Sequence, residues 1–267
     1  MFSYELTLTG KSRKRAYSEY KNSPLPTFSD QLFFSLVYHK QYSLPTVQGA
    51  LFGISQPKAN QWIHFLTPNL KQALSELGET PARDSQEVEF SNEDSLFLHD
   101  GTERPIQRPT DSQAQKDGYS GKKKAHTVKN NVLASEKCKV LFLTPTVEGK
   151  QHDKALADES NSQLPKNTTL LQDTGFQGVQ VEKSAILQPK KNPRGRELTE
   201  EEKQTNTEIS KIRIRMEPVI SGIQRCRSVK DKYRNHKKEF RDVGMVIATA
   251  LHNFRLNFRP WTKVQLE

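Results

Sequence analysis

Ser95-Leu-Phe-Leu-His-Asp-Gly-Thr-Glu-Arg-Pro-Ile-Gln-Arg-Pro109 is the stretch on which the reading of the fold turns. Residues 95–99 are apolar and aromatic, about the length of one buried strand. Asp100-Gly101 breaks the run, so a carboxylate is expected where a strand ends, the place where open sheets bind ligands. Arg104, Arg108 and Lys122-Lys-Lys124 follow. A carboxylate beside cationic side chains suits a metal ion that also receives a phosphate backbone. Taken alone, Asp-Gly reads first as a simple turn.

Composition narrows the partner. Of 267 residues, 33% are hydrophobic, and the mean hydropathy is −0.79, low for one compact globule. The net charge of +10 and pI near 9.5 favour nucleic acid or an acidic membrane surface. No stretch approaches the ~20 apolar residues of a membrane span, and the first residues lack a basic-then-apolar signal pattern. Cys138 and Cys226 make neither a disulfide framework nor a zinc set. A reducing, cytoplasmic setting is expected, with nucleic acid as partner and no membrane. The charge is uneven: residues 210–267 hold 14 Lys/Arg and 5 Asp/Glu, against 9 and 7 in residues 1–88.

Working toward the N-terminus, residues 1–27 form a basic lead-in that Pro24 and Pro26 close. From Ser29, a candidate cap, Leu32, Phe33, Leu36 and Val37 recur at helical spacing. A second short helix spans 46–52, with Val47, Leu51 and Phe52 expected inward. Gly53-Ile54-Ser55 is a tight turn, and a third helix runs from Gln56 to Leu66, with Ser55 as its cap and Pro57 in its first turn. A short helix, a glycine turn and a helix carrying Lys58, Asn60 and Gln61 outward is the pattern of a helix-turn-helix. Asn and Gln can read adenine in the major groove, and Lys can meet phosphate or guanine. An ordinary three-helix bundle would show the same pattern. Trp62 is expected in its core. Residues 28–88 are taken as this domain, with 79–89 as linker by composition.

Beyond residue 88, strands are expected at 95–100, 122–133, 139–144, 168–172 and 185–188, with a flexible polar segment over 103–120 and a helix from His152 to Ser160. Thr199 and Glu202 form a capping box for a long helix that reaches Glu217, and an apolar helix from Phe240 to Phe254 suits a sheet face. Asp100 and Asp173 each end a strand, 73 positions apart, and Glu217 follows 44 positions later on a helix. Three such acids can converge on divalent cations, which prefer oxygen ligands. Spacing alone does not establish that they do.

A series of motifs in fixed order resembles a DDE-type insertion-sequence transposase, of the branch related to the Harbinger elements. It runs through Leu51-Phe-Gly-Ile-Ser-Gln56, Asp100-Gly-Thr-Glu-Arg-Pro105, Tyr119-Ser-Gly-Lys-Lys-Lys124 with His126-Thr-Val128, and His152-Asp-Lys-Ala-Leu156. Asp173-Thr-Gly-Phe176, Asn206 with Arg213 and Glu217, and Ala250-Leu-His-Asn-Phe254 complete it. The resemblance implies an α+β chain: a helical helix-turn-helix domain, then a ribonuclease H-like α/β/α catalytic domain with a mixed sheet over 89–267. Asp100, Asp173 and Glu217 would be the catalytic and metal-binding triad for two Mg²⁺ or Mn²⁺ ions. The implied activity is cleavage at the terminal inverted repeats of a mobile element, then attack of the freed 3′-hydroxyl on target DNA. Double-stranded DNA would be the partner and a homodimer the DNA-bound form, nucleoid-associated in a bacterium. Arg104, Lys122, Lys123, Lys124, Arg213 and Arg215 are the candidate phosphate contacts.

One departure stands out. Related sequences commonly have an ordinary helix residue after the glutamate, whereas here Pro218 follows. Proline lacks the N–H and clashes with the carbonyl four residues back, here that of Ile214. A kink is therefore expected at the third acid, costing ~3 kcal/mol unless the helix is already broken there.

Overall fold

The structure, a computed structural model, describes residues 12, 14, 23–151, 164–176, 184–192, 197–235 and 237–260. In chain order it has helices α1 (Phe28–Gln41), α2 (Pro45–Leu51) and α3 (Gln56–Glu76), strand β1 (Leu96–Pro105) and helix α4 (Ser112–Gly118). Strands β2 (Tyr119–Ser120), β3 (Ala125–Ser135), β4 (Val140–Leu143), β5 (Val147–Glu148), β6 (Thr169–Gln172) and β7 (Ala185–Leu187) follow. Helices α5 (Glu200–Arg213), α6 (Met216–Ile223), α7 (Arg227–Lys230) and α8 (Lys238–Leu256) close the chain. The helix expected over His152–Ser160 and most of the basic lead-in lie outside the described residues. The chain packs as two units. One holds the chain up to Thr80 with Gln224–Asp231 and Asn235–Leu251; the other holds Pro81–Ile223, Lys232–Arg234 and the chain from His252 on.

In the helical unit, Thr27 caps α1, not Ser29. The Thr27 hydroxyl accepts from the Asp30 N–H while the Asp30 carboxylate accepts from Thr27 N–H, both at 3.1 Å. The buried stripe of α1 is Gln31, Phe34, Ser35, Tyr38 and His39, whereas Leu32 and Phe33 are 49% and 61% exposed. On α2, Gln48 and Gly49 are buried and Val47 and Leu51 face out. Only Phe52 turns in as expected, edge-on to Phe34 at 4.8 Å. The inversion is possible because the buried amides are bonded: Gln31 Nε2 donates to Leu25 O and Gln48 Nε2 to Phe34 O.

Two glycines set the turn between α2 and α3. A Cβ on Gly49 would lie 2.5 Å from the Ile54 carbonyl oxygen, and Gly53 has φ +65°, which L side chains rarely adopt. Ser55 is at the N-cap position of α3, but its side chain makes no capping bond. The helix does not stop at Leu66; it continues through Pro68 to Glu76. Thr67 and Asn69 donate to the Ile63 and Phe65 carbonyls on either side of the proline. Trp62 is buried, as expected. The apolar C-terminal helix was expected on a sheet face. Instead Ile247 and Ala250 of α8 pack with Leu70 and Leu74 of α3, bordered by Leu36, Val243 and Leu251.

The other unit is built on a seven-stranded mixed sheet in the order β2-β3-β1-β6-β7, with β4 and β5 also paired to β3. β1 runs antiparallel to β3 and parallel to β6, and β6 runs parallel to β7. The chain is thus α+β, with a helical head followed by the mixed sheet of a ribonuclease H-like domain. Phe97, Leu133, Phe142, Leu164 and Leu170 form the core of this sheet. The 79–89 stretch is not a free linker, because Ala82 pairs with the edge of β4 through Leu141 O and Leu143 N–H, and Val88 and Phe90 pack on the core. From the end of α8, Asn253 bonds both backbone groups of Val140 at 2.9 Å, and His252 Nε2 donates to Cys138 O at 2.9 Å. That bond leaves His252 Nδ1 to accept from Arg255.

His39 is enclosed in the helical unit, with Nδ1 3.3 Å from Ser228 Oγ of α7, and burial pulls its pKa down from 6.5 to about 4. The folded state then binds fewer protons than the unfolded chain between these pH values. Stability is fully present above pH 6.5 and is lost as pH falls through about 4, by at most ~3 kcal/mol for this group. Urea unfolding at pH 7 and pH 4.5 should show a drop for the wild type that is smaller in His39→Gln.

Candidate active site

Asp100 does not end β1. The strand runs on to Pro105, paired throughout with β3, and Asp100 stands opposite Val132. What ends there is the parallel pairing with β6, whose last register pair is His99 with Gln172. Asp100 and Asp173 are therefore the next residue on each of two adjacent strands, and the sheet brings them together. Asp173 then leads into a 3₁₀ turn over Thr174–Phe176, in which Phe176 N–H donates to Asp173 O.

Arg213, the last residue of α5, closes the group: its Nη1 lies 3.0 Å from Asp173 Oδ1. α5 starts at the expected Thr199–Glu202 capping box and packs along β6. Burial raises the Asp100 pKa above its ordinary value, and the Asp173 charge adds to this. The Gly101 N–H, which donates to Asp100 Oδ1 at 2.8 Å, and the charges of Arg213 and Lys122 oppose it. The site thus holds two carboxylates, one of them short of solvent, facing two cationic side chains.

Glu217 does not complete the set. Among the described residues, no three His, Cys, Asp or Glu side chains form a group that could hold a metal ion. The cause is a break in the helix. α5 stops at Arg213, Ile214 and Arg215 form a turn, and α6 restarts at Met216. In one continuous helix Glu217 would lie one turn beyond Arg213 on the same face, directed toward Asp173. Pro218 instead stands third in α6, within the first turn, where a helix needs no N–H from it. The Ile214 carbonyl accepts from Glu217 N–H at 3.1 Å. The expected kink is thus a full break, and Glu217 is exposed in the first turn of a helix that packs against β1.

The candidate DNA contacts divide sharply. Lys58 and Asn60 are exposed and Gln61 half-buried on the first turns of α3. Lys122, Lys123 and Lys124 are exposed in the turn before β3, rather than within a strand, and Lys124 has φ +50°. Arg104 is corrected: 4% exposed, its Nη2 donates to Asn130 Oδ1 at 2.7 Å and Thr146 Oγ1 at 3.2 Å, so it ties β1 to β3 and does not meet phosphate. The cause is its place in β1, whose alternation turns it into the sheet. Arg213 is engaged with Asp173, and Arg215 is half-buried, with its carbonyl 3.7 Å from Cys138 Sγ. The segment over 103–120 is not flexible coil, since it holds the end of β1, then α4 and β2. Sequence reading passed over Gln172 and Gln188. The only available signal was that Gln172 precedes Asp173 as His99 precedes Asp100.

Residues 99–253 match the model of the DDE superfamily endonuclease, and residues 23–76 match the helix-turn-helix of DDE superfamily endonucleases. The chain belongs to the DDE superfamily of endonucleases. Over 233 residues this DDE endonuclease is 25% identical to the protein named "Probable transposase for insertion sequence element IS702" of Microchaete diplosiphon, covering 87% of this chain and 82% of that one. No solved structure matches it. Two carboxylates at one sheet end, the more buried raised in pKa and facing a like charge, fit a hard divalent cation that prefers oxygen ligands. Arg213 competes for the same carboxylate. Arg213→Gln should therefore strengthen Mn²⁺ binding, by no more than about fivefold for a half-exposed ion pair worth at most ~1 kcal/mol. Calorimetric titration measures it, and weaker binding would show that Arg213 supports the ion instead.

Proposed function

We propose that this endonuclease is an active cut-and-paste transposase. It binds the terminal repeats of its element through the helical head and cleaves and joins DNA at the Asp100–Asp173 site. The observation that carries this reading is the meeting of these two acids with Arg213 and Lys122 where the parallel pairing of the sheet stops. Asp100 and Asp173 would hold Mg²⁺ or Mn²⁺, two ions in the full complex, with Glu217 recruited from the first turn of α6. When bound, such ions supply Lewis-acid stabilisation of charge on a scissile phosphate.

The chain's own groups do the rest. Arg213, paired with Asp173 in this structure, would turn to neutralise a phosphate oxygen when Asp173 serves as a metal ligand. Arg215 is a further phosphate contact in this reading. Lys122, Lys123 and Lys124 lie along the backbone, contributing charge without sequence information. Lys58, Asn60 and Gln61 enter the major groove from α3, with the α2–α3 turn held tight by Gly49 and Gly53. Two element ends must be joined to one target, so the working form on DNA is a homodimer. The protein acts in the cytoplasm, on nucleoid DNA in a bacterial host. No described helix is long and apolar enough to cross a membrane.

A second reading is a transposase-derived DNA-binding protein that no longer cuts. The exposed Glu217 behind its helix break favours it. The DNA flanking the coding sequence, incubated with protein and Mg²⁺ or Mn²⁺, separates the two: nicked or joined ends support the first, and binding without cleavage the second. For the active enzyme, Asp173→Asn should abolish cutting and leave end binding nearly intact. Glu217→Gln should do the same if the glutamate is recruited. Binding should fall steeply with salt as phosphate contacts release counterions. Joint loss of cutting and binding in Asp173→Asn would assign that carboxylate a structural role.

A further inference from the structure

Behind the two acids runs a chain of side-chain hydrogen bonds that neither the family resemblance nor the sequence pattern assigns. Gln172 Nε2 lies 2.8 Å from His99 Nδ1. Gln188 Nε2 donates to Gln172 Oε1 at 2.8 Å and to Phe176 O at 3.2 Å. The His99 ring lies against Phe176, with centroids 4.4 Å apart and planes tilted by 36°. The donors and acceptors admit one direction. Gln172 spends its oxygen on Gln188, so its nitrogen must donate to His99, and His99 Nδ1 must accept. The imidazole is then neutral, with its proton on Nε2.

The position of this chain matters more than its number of bonds. His99 and Gln172 are the last register pair of β1 and β6, and Gln188 follows the end of β7, the strand on the other side of β6. The rung therefore crosses three adjacent strands at the level where the parallel backbone pairing stops. One residue further on stand Asp100 and Asp173, with no backbone pair to set their separation. The same rung grips the turn after Asp173, through Phe176 O and the Phe176 ring. Gln172 is 1% exposed, so neither of its amide groups has water as an alternative partner.

We propose that the His99–Gln172–Gln188 rung is the positioning device of the metal site: it fixes the spacing of the Asp100 and Asp173 carboxylates so that both reach one divalent cation. This rests on the reading of these acids as metal ligands. The three residues act through the aspartates and touch neither cation nor DNA. Groups hydrogen-bonded directly to metal ligands are typically worth 10–100-fold in affinity, and the rung, set one residue behind the ligands, is expected at the lower end of that range.

The test titrates Mn²⁺ alone into the full-length protein, by calorimetry or by loss of the free-ion electron-spin signal. Gln172→Leu, His99→Leu and Gln188→Leu are each expected to weaken Mn²⁺ binding about tenfold or more in protein that, with a lowered thermal midpoint, is still folded and still binds DNA through the head. His99→Gln, which offers a carbonyl to accept the Gln172 N–H, should restore most of the affinity that His99→Leu loses. A merely structural role would separate these two in thermal midpoint and leave their Mn²⁺ affinities equal. In Mn²⁺-supported cleavage of the flanking DNA, the Leu variants should lose kcat while KM for DNA stays unchanged. Folded Leu variants that bind Mn²⁺ as the wild type does would overturn the proposal, as would a His99→Gln variant no better than His99→Leu. Asp100→Asn is the control on the underlying reading. If it too binds Mn²⁺ normally, the aspartate pair is not the metal site, and the failure belongs to that reading and not to the rung.

Discussion

The parallel pairing of β1 with β6 is the constraint from which the site follows. Two carboxylates repel, and Asp100 is buried enough for its charged form to be disfavoured. Nothing local would bring residues 100 and 173 together. The sheet does so because Leu96–His99 and Thr169–Gln172 pair in register and then stop together. The electrostatic cost is offset by Arg213 from α5, by Lys122 and by the Gly101 N–H. In the proposed function, a site balanced in this way would exchange an internal cation for an external one at small net cost.

The helical unit shows a different economy. The inward faces of α1 and α2 are polar as often as apolar, and Gln31, Gln48 and His39 are buried there with one polar atom of each met by a specific partner. Leu32, Phe33, Val47 and Leu51 are correspondingly left at the surface. The C-terminal segment that carries much of the positive charge returns to this unit, with Ser228 bonded to His39, Phe240 against His64, and Ile247 and Ala250 in the core with α3. The helical head is therefore assembled from both ends of the chain.

Pro218 links local chemistry to function. A proline needs a helix start, and the chain provides one by breaking between Arg213 and Met216. That break leaves Arg213 to reach Asp173 and turns Glu217 out to solvent on α6, beside the strand that bears Asp100. At this junction the strain that proline would impose on an unbroken helix has been traded for the position of the third acid.

Much of this was legible in the residues themselves. The Thr199–Glu202 cap, the Gly53 turn, buried Trp62, the apolar strand runs and the acid that follows β6 rest on local patterns that no remote partner overrides. The ordered motifs also carried the family, because they record chemistry at single positions. Tertiary structure decided everything that depends on a distant partner. It turned Arg104 inward to Asn130, let hydrogen bonds bury Gln31 and Gln48 in place of Leu32 and Val47, and sent α8 back to the helical unit. It also set Gln172 against His99 and withheld Glu217 from the aspartates. The physical reason is the same throughout. Periodicity and propensity are properties of neighbours along the chain, whereas the burial of a polar group, or the meeting of two charges, depends on which remote residue satisfies it.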